Sequence, residues 1–160
     1  MYSIHIAHLK TPLGIAEIHG NEAGISKILI TGETSVPSEE IPEELKDAVL
    51  QLEAYFKGEL KEFSLKLNPE GTPFQKKVWE ALKEIPYGET CSYLELSKNL
   101  EDVKAIRAVA AANGKNPLWI VIPCHRVIGS DGSLTGYAGG LWRKKWLLDF
   151  ENPPNQLQLF

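Results

Sequence analysis

Hydrophobic and polar positions switch between a period of two and a helical period along the chain, and each switch marks a new element. Residues 2–9 and 14–30 read as strands. Ile15, Ile18, Ile25, Ile28 and Ile30 supply β-branched positions there, and Asn21-Glu22-Ala23-Gly24 suits a hairpin turn. Residues 31–41 are polar, contain Gly32 and Pro37, and read as a loop. Leu45, Val49, Leu52 and Phe56 then recur at helical spacing, and Gly58 closes that helix. Phe63, Leu65 and Leu67 alternate as a short strand, and Asn68-Pro69-Glu70-Gly71 reads as a linker. An N-terminal α/β part over residues 1–71 is the expectation, and no internal repeat is visible.

The second part opens on a helix start. Thr72 suits the N-cap, Pro73 the first helical position, and Gln75 closes a capping box. Phe74, Val78, Leu82 and Ile85 follow on one face before Pro86-Tyr87-Gly88 breaks the helix. Ser92 with Glu95 forms a second capping box, opening a helix to about Leu100. Asp102 suits the cap of a third, Val103 to about Asn113, with Gly114 at its C-terminus. Two short helices joined by a few residues make either a helix-turn-helix or an ordinary helical hairpin. The third helix carries Ala105, Ala108, Ala110, Ala111 and Ala112, with Arg107 its one arginine. Such a bare face suits close approach to DNA, or packing against the domain body.

Leu118-Trp119-Ile120-Val121-Ile122 is a continuous apolar run and reads as a buried strand. Pro123 stops it, and Cys124-His125-Arg126-Val127 follows at once. A thiol on rigid backbone beside a histidine is how a chain positions a nucleophile, although free cysteines are often simply buried.

Composition narrows the classes. A chain of 160 residues with 43% hydrophobic content suits one large domain or two small ones. No apolar run is long enough to span a membrane, and Met1–Lys10 lacks the pattern of a secretory signal. The two cysteines, Cys91 and Cys124, point to a reducing compartment, hence the cytoplasm, and away from a disulfide framework. No CxxC occurs and the four histidines are scattered, so no metal site is expected. Net charge is −4, but residues 1–71 carry six more acidic than basic groups while residues 72–150 carry three more basic than acidic. A mildly basic half joined to an acidic half fits a phosphate-facing module as well as an ordinary charged surface.

Taken in order, Phe74-Gln75 with Val78-Trp79, Gly88 with Ser92-Tyr93, Arg107-Ala108-Val109, Asn116-Pro117, Pro123-Cys124-His125-Arg126-Val127, Gly136-Tyr137-Ala138-Gly139-Gly140 and Leu147-Leu148 with Glu151 resemble the O(6)-alkylguanine-DNA alkyltransferases, also called methylated-DNA–protein-cysteine methyltransferases. The match spans residues 72–151; residues 1–71 are more loosely similar to the family's N-terminal domain, which has a ribonuclease-H-like fold, and residues 152–160 form a tail. The resemblance implies an α+β protein of two domains, the second mostly helical with a helix-turn-helix. It implies irreversible transfer of a methyl or alkyl group from O6 of guanine in duplex DNA, with O4 of thymine a further candidate, to Cys124. Each molecule would act once, without a cofactor, as a monomer.

The same resemblance implies roles for single residues. A water would link Cys124 to His125, with Glu151 behind the ring fixing its tautomer. Tyr93 would donate a proton to ring N3 of guanine. Arg107 would fill the space left by the flipped base, and Ala105, Ala108, Ala110 and Ala111 would let the helix approach the minor groove. Asn116 would tie the helix-turn-helix to the strand before the cysteine. Tyr137, Ala138, Val127 and Trp119 would line the pocket, the bulk of Trp119 narrowing it. A non-catalytic sensor of alkylated bases is the alternative within this resemblance, and Cys124 argues against it because such sensors replace that residue. A Cys-His hydrolase would need His5, His8 or His19 facing the thiol. Beyond the core, Pro153-Pro154 followed by Gln156, Leu157, Leu159 and Phe160 looks like a short peptide that docks on the bacterial sliding clamp.

Overall fold

The computed structural model describes residues 3–32 and 36–153. The tail residues Gln156, Leu157, Leu159 and Phe160 lie outside the described residues. The chain divides into two units, one running to Gly71 and including Pro117–Val121, the other comprising Thr72–Asn116 and the chain from Ile122 onward. No helix among the described residues is long and apolar enough to cross a membrane.

The first unit is built on an antiparallel meander of β1 (His5–Thr11), β2 (Gly14–Asn21) and β3 (Gly24–Thr31). The isoleucines of the first period do the packing: Ile18, Ile25, Ile28 and Ile30 are all buried. The β2–β3 turn closes because Asn21 Oδ1 accepts from the Ala23 amide at 2.8 Å. Gly24 is required after it, since its φ is +133° and a Cβ there would stand 2.9 Å from the Lys66 carbonyl. Helix α1 (Lys46–Phe56) turns Ala48, Val49, Leu52 and Tyr55 inward, at the spacing one helix face allows.

Two expected strands reduce to single bridges on β3. Of Phe63, Leu65 and Leu67, Leu67 alone pairs, with Ile25; the Ile25 amide donates to the Lys66 carbonyl at 2.8 Å and the Asn68 amide to the Ile25 carbonyl at 2.7 Å. In the run Leu118–Ile122, Leu118 alone pairs, with Ile28, flanked by bonds of 2.8 Å from the Ile28 amide to Pro117 and 3.0 Å from the Trp119 amide to Ile28. The run is buried as expected but is not a strand. Continuous apolarity reports burial and leaves the backbone path open.

The second unit follows its caps. Helix α2 (Pro73–Leu82) starts on the Thr72–Gln75 capping box, and α3 (Tyr93–Asn99) on the Ser92–Glu95 box, each with both reciprocal bonds formed. Asp102 does not cap with its side chain; residues Val103–Ala105 form a 3-10 turn, and α4 (Ile106–Gly114) begins only after it. Gly114 is the last helical residue rather than a left-handed cap beyond the end. The left-handed residue is Glu101, φ 60°, in the turn between α3 and α4. Trp79 Nε1 donates to the Ala112 carbonyl at 2.9 Å and holds α2 against α4. The short strands β4 (Cys91–Ser92) and β5 (Val127–Ile128) pair in parallel, and α5 (Leu141–Glu151) closes the unit.

Ser92→Ala removes one half of the α3 capping box. It is expected to lower unfolding stability by about 1 kcal/mol in a urea titration without changing the slope.

Candidate active site

The segment that delivers the thiol is a pair of tight turns. The Val121 amide donates to the Trp119 carbonyl at 2.8 Å around Ile120, whose φ is +74°. A three-residue turn with positive φ is the rare, strained form, and a β-branched residue there is a true outlier. The Cys124 amide then donates to the Ile122 carbonyl at 2.8 Å around Pro123, at φ −80° and ψ 64°. Those angles are the relaxed form of the same turn. Cys124–Arg126 continue as a 3-10 turn, so the alternation of an extended chain does not govern where Cys124 and His125 point.

Behind the thiol lies a buried charge network. His125 Nε2 is 2.8 Å from Glu151 Oε2, Arg126 Nε donates to Glu151 Oε1 at 2.8 Å, and Arg126 Nη2 donates to Oε2 at 3.0 Å. Arg126 Nη1 donates to the Ile85 carbonyl at 2.7 Å, just past the end of α2. Gly88, at φ +81°, brings its amide to 3.4 Å from Glu151 Oε1, and a Cβ there would meet the Glu151 carbonyl at 3.2 Å. Burial alone would raise the Glu151 pKa, but the hydrogen bonds from His125 and Arg126 and the Arg126 charge outweigh it and hold the carboxyl well below the ordinary range. Burial, together with the charges of Arg126 and Lys144, lowers the His125 pKa against the pull of Glu151, so the ring is neutral at pH 7. With the carboxylate accepting at Nε2, the proton sits there and Nδ1 presents a lone pair. Nδ1 is buried without a hydrogen-bond partner among the described residues.

Cys124 is 4% exposed. Burial pushes its thiol up, while a hydrogen bond from the Asn116 side chain and the charge of Lys144 push it down. Asn116 Nδ2 also donates to the Ile122 carbonyl at 2.7 Å, and Asn113 Nδ2 reaches the Cys124 carbonyl at 3.5 Å. Asn116 therefore links the residues after α4 to the turn before the nucleophile, in place of the expected strand.

A groove of about 480 Å³ is lined by Tyr93 of α3, by Ile106, Arg107, Ala110, Asn113 and Gly114 of α4, and by Thr135, Gly136 and Tyr137 of the loop before α5. Arg107, Ala108 and Ala111 are exposed on α4, while Ala105 belongs to the 3-10 turn before it. Tyr93 donates its hydroxyl to the Thr135 carbonyl at 3.1 Å. Val127 is buried on β5 opposite Cys91, Ala138 is exposed, and Trp119 lies in the first unit; none of the three lines this groove. His8 and His19 lie 3.2 and 2.7 Å from the Glu17 carboxylate, and His5 lies 3.6 Å from that of Glu44, all in the first unit.

Three participants were not singled out from sequence: Arg126, Asn113 and Lys144. Lys144 is fully buried, and its Nζ donates to the carbonyls of Thr135 at 2.9 Å and Gly136 at 3.4 Å. The signal was present. Lys144, Leu147 and Glu151 share one helical stripe, and a charge on an apolar stripe needs a partner or a task.

The second unit is a helical domain carrying a buried thiol and its own imidazole–carboxylate pair. Residues 73–153 match the DNA-binding domain of 6-O-methylguanine DNA methyltransferase, and residues 4–69 match the ribonuclease-like domain of the same proteins. A methylated-DNA–protein-cysteine methyltransferase of Methanosarcina acetivorans is 50% identical over 153 residues, covering 92% of this chain and 98% of that one. One from Mycobacterium tuberculosis is 44% identical over 163 residues, covering 98% and 99%. The crystal structure of M. tuberculosis O6-methylguanine methyltransferase superposes with a TM-score of 0.83 at 43% identity over 99% of both chains. The M. tuberculosis protein in complex with DNA gives 0.83 at 44% identity over 92% of each. The chain belongs to the 6-O-methylguanine DNA methyltransferase family.

The network sets the acid side of the stability curve. Glu151 stabilises the fold fully above its unfolded pKa of about 4.3, and that contribution is lost as pH falls toward the depressed folded value. His125 is held neutral, so below about pH 6.5 the unfolded chain takes up a proton that the folded chain does not. Both effects lower stability on acidification. Glu151→Gln strands the buried Arg126 charge and is expected to cost about 3–5 kcal/mol at pH 7.5 by urea unfolding. That gap to the wild type should narrow as pH falls through the carboxylate range.

Proposed function

We propose that this protein repairs O6-alkylated guanine in duplex DNA by transferring the alkyl group to its own Cys124. The observation that carries the reading is the buried Cys124 next to His125, whose Nε2 is committed to Glu151 and whose Nδ1 is left to accept a proton. Family membership supplies the substrate class.

The step is an in-line displacement. The sulfur of Cys124 attacks the alkyl carbon, the S–C bond forms, and the C–O6 bond breaks with its electron pair passing to the base. The thiol proton leaves through a water to His125 Nδ1, and the imidazolium so formed is stabilised by Glu151. Burial raises the thiol pKa, so this base is needed at neutral pH. The departing guanine is a poor anion, and Tyr93 supplies a proton to N3. A thioether has no leaving group that this site could expel, so each molecule is consumed.

The base must leave the stack to reach the thiol, at a cost of a few kcal/mol. Arg107, exposed on α4 and lining the groove, takes the vacated place, while the small side chains of Ala108, Ala110 and Ala111 allow the helix to lie close in the minor groove. Asn116 holds the nucleophile turn, and Tyr137 lines the groove that receives the base. The retained Cys124 favours this chemistry over a non-catalytic sensor. The free cysteines Cys91 and Cys124 support a reading of a reducing compartment, the cytoplasm, and of a monomer that uses no cofactor. The tail Gln156-Leu157-Gln158-Leu159-Phe160 docks on the sliding clamp; a synthetic tail peptide is expected to bind purified clamp, and no binding would remove this partner.

Incubation with duplex DNA carrying one O6-methylguanine is expected to add about 14 Da to the intact protein, located on Cys124 and saturating at one per chain. Cys124→Ala should show no gain. Tight lesion binding by the wild type without mass gain would favour the sensor, and neither binding nor gain would overturn the reading.

A further inference from the structure

The proposed reaction sets Tyr93 a conflict. Its hydroxyl has one hydrogen, and in this structure that hydrogen goes to the Thr135 carbonyl at 3.1 Å. General-acid work requires the same hydrogen to turn toward guanine. The Thr135 carbonyl would then lose a donor at the edge of a groove that the base is filling, and an acceptor deprived of both protein and water is costly.

The fold already aims a second donor at that oxygen. Lys144 stands in the first turns of α5 with 0% exposure, and its Nζ reaches Thr135 O at 2.9 Å and Gly136 O at 3.4 Å. It also lies 5.9 Å from the centre of the Tyr93 ring. Burial pushes its pKa down to about 8, with Cys124 acting the other way, so it keeps its charge at neutral pH. Thr135, Gly136 and Tyr93 all line the groove, and Lys144 lies beneath them without lining it. A buried ammonium that satisfies two carbonyls of a groove-lining loop is placed to shape that loop rather than to meet DNA.

We propose that Lys144 is a positioning residue for alkyl transfer: it holds the Thr135–Gly136 edge of the groove and keeps the Thr135 carbonyl bonded when the Tyr93 hydroxyl turns to the base. The inference rests on the repair reading above and adds a residue that acts through Tyr93 and the loop.

A double-mutant cycle tests it. Single-turnover transfer from O6-methylguanine duplex is measured for the wild type, Lys144→Met, Tyr93→Phe and the double variant. Lys144→Met is expected to slow transfer about tenfold or more, the effect of leaving one buried acceptor without a donor. In the Tyr93→Phe background the same change should cost less than about threefold, because there is no hydroxyl to release. Lys144→Arg, which keeps the donors, should recover most of the rate. A role in stability alone would slow both backgrounds equally, and that result, or no slowing in either, overturns the proposal. If Lys144→Met does not fold by circular dichroism, Lys144→Leu, which also lacks a donor, carries the same cycle. A crystal structure of the Cys124→Ser protein on lesion DNA gives an independent answer: Tyr93 still bound to Thr135 O beside the flipped base would overturn the proposal. Absence of transfer by the wild type would instead overturn the repair reading itself.

Discussion

The carboxylate of Glu151 is the constraint on which the second unit depends. It is nearly solvent-free, and an isolated buried carboxylate would take up a proton rather than stay charged. It stays charged because Arg126 grips both oxygens and His125 shares one of them. Those partners come from the nucleophile turn, so pairing the charge also fixes that turn against the end of α5. Arg126 extends the same network to the Ile85 carbonyl, and Gly88 adds an amide, so the break after α2 is tied to the same point. Removing any one member leaves the others buried and unmatched, which makes the network cooperative rather than a sum of pairs.

This arrangement explains why the thiol can be hidden. A buried cysteine is protected and, by the same burial, less acidic. On the proposed reading reactivity comes from a proton acceptor, the Glu151–His125 pair, whose Nδ1 lone pair is defined by the carboxylate on the other nitrogen. The strained turn at Ile120 fits the same logic. A β-branched residue at positive φ costs of order 1 kcal/mol or more, and it persists because the neighbouring residues Leu118 and Trp119 are pinned to Ile28.

Much of this was legible in the chain. Both capping boxes could be read because a cap is a local contract between residues three apart. The isoleucine-rich hairpins could be read because one buried face imposes a period of two. Leu118–Ile122 carries no period because it is apolar throughout, and a backbone of successive tight turns leaves no apolar signature. Asp102 has a capping residue's chemistry, but the 3-10 turn that follows satisfies its carbonyl through the Ala105 amide and leaves its side chain unused. The partners of Glu151 and Thr135 are distant in sequence, and long-range pairing of charges is invisible until the helices are packed.

The same geometry bears on how a protein of net charge −4 can work on DNA. Many lysines on a surface would give affinity that falls steeply with salt and carries no information about the base. Here the cations of the second unit divide their labour. Arg126 and Lys144 are buried and hold the nucleophile turn and the groove loop, while Arg107 stands exposed on a helix of small side chains. Recognition that relies on close backbone approach and one inserted side chain needs few surface charges, because the energy is spent on deforming the duplex rather than on coating it. Two of the cations of residues 72–150, Arg126 and Lys144, thus serve the internal fold of the site rather than a charged surface.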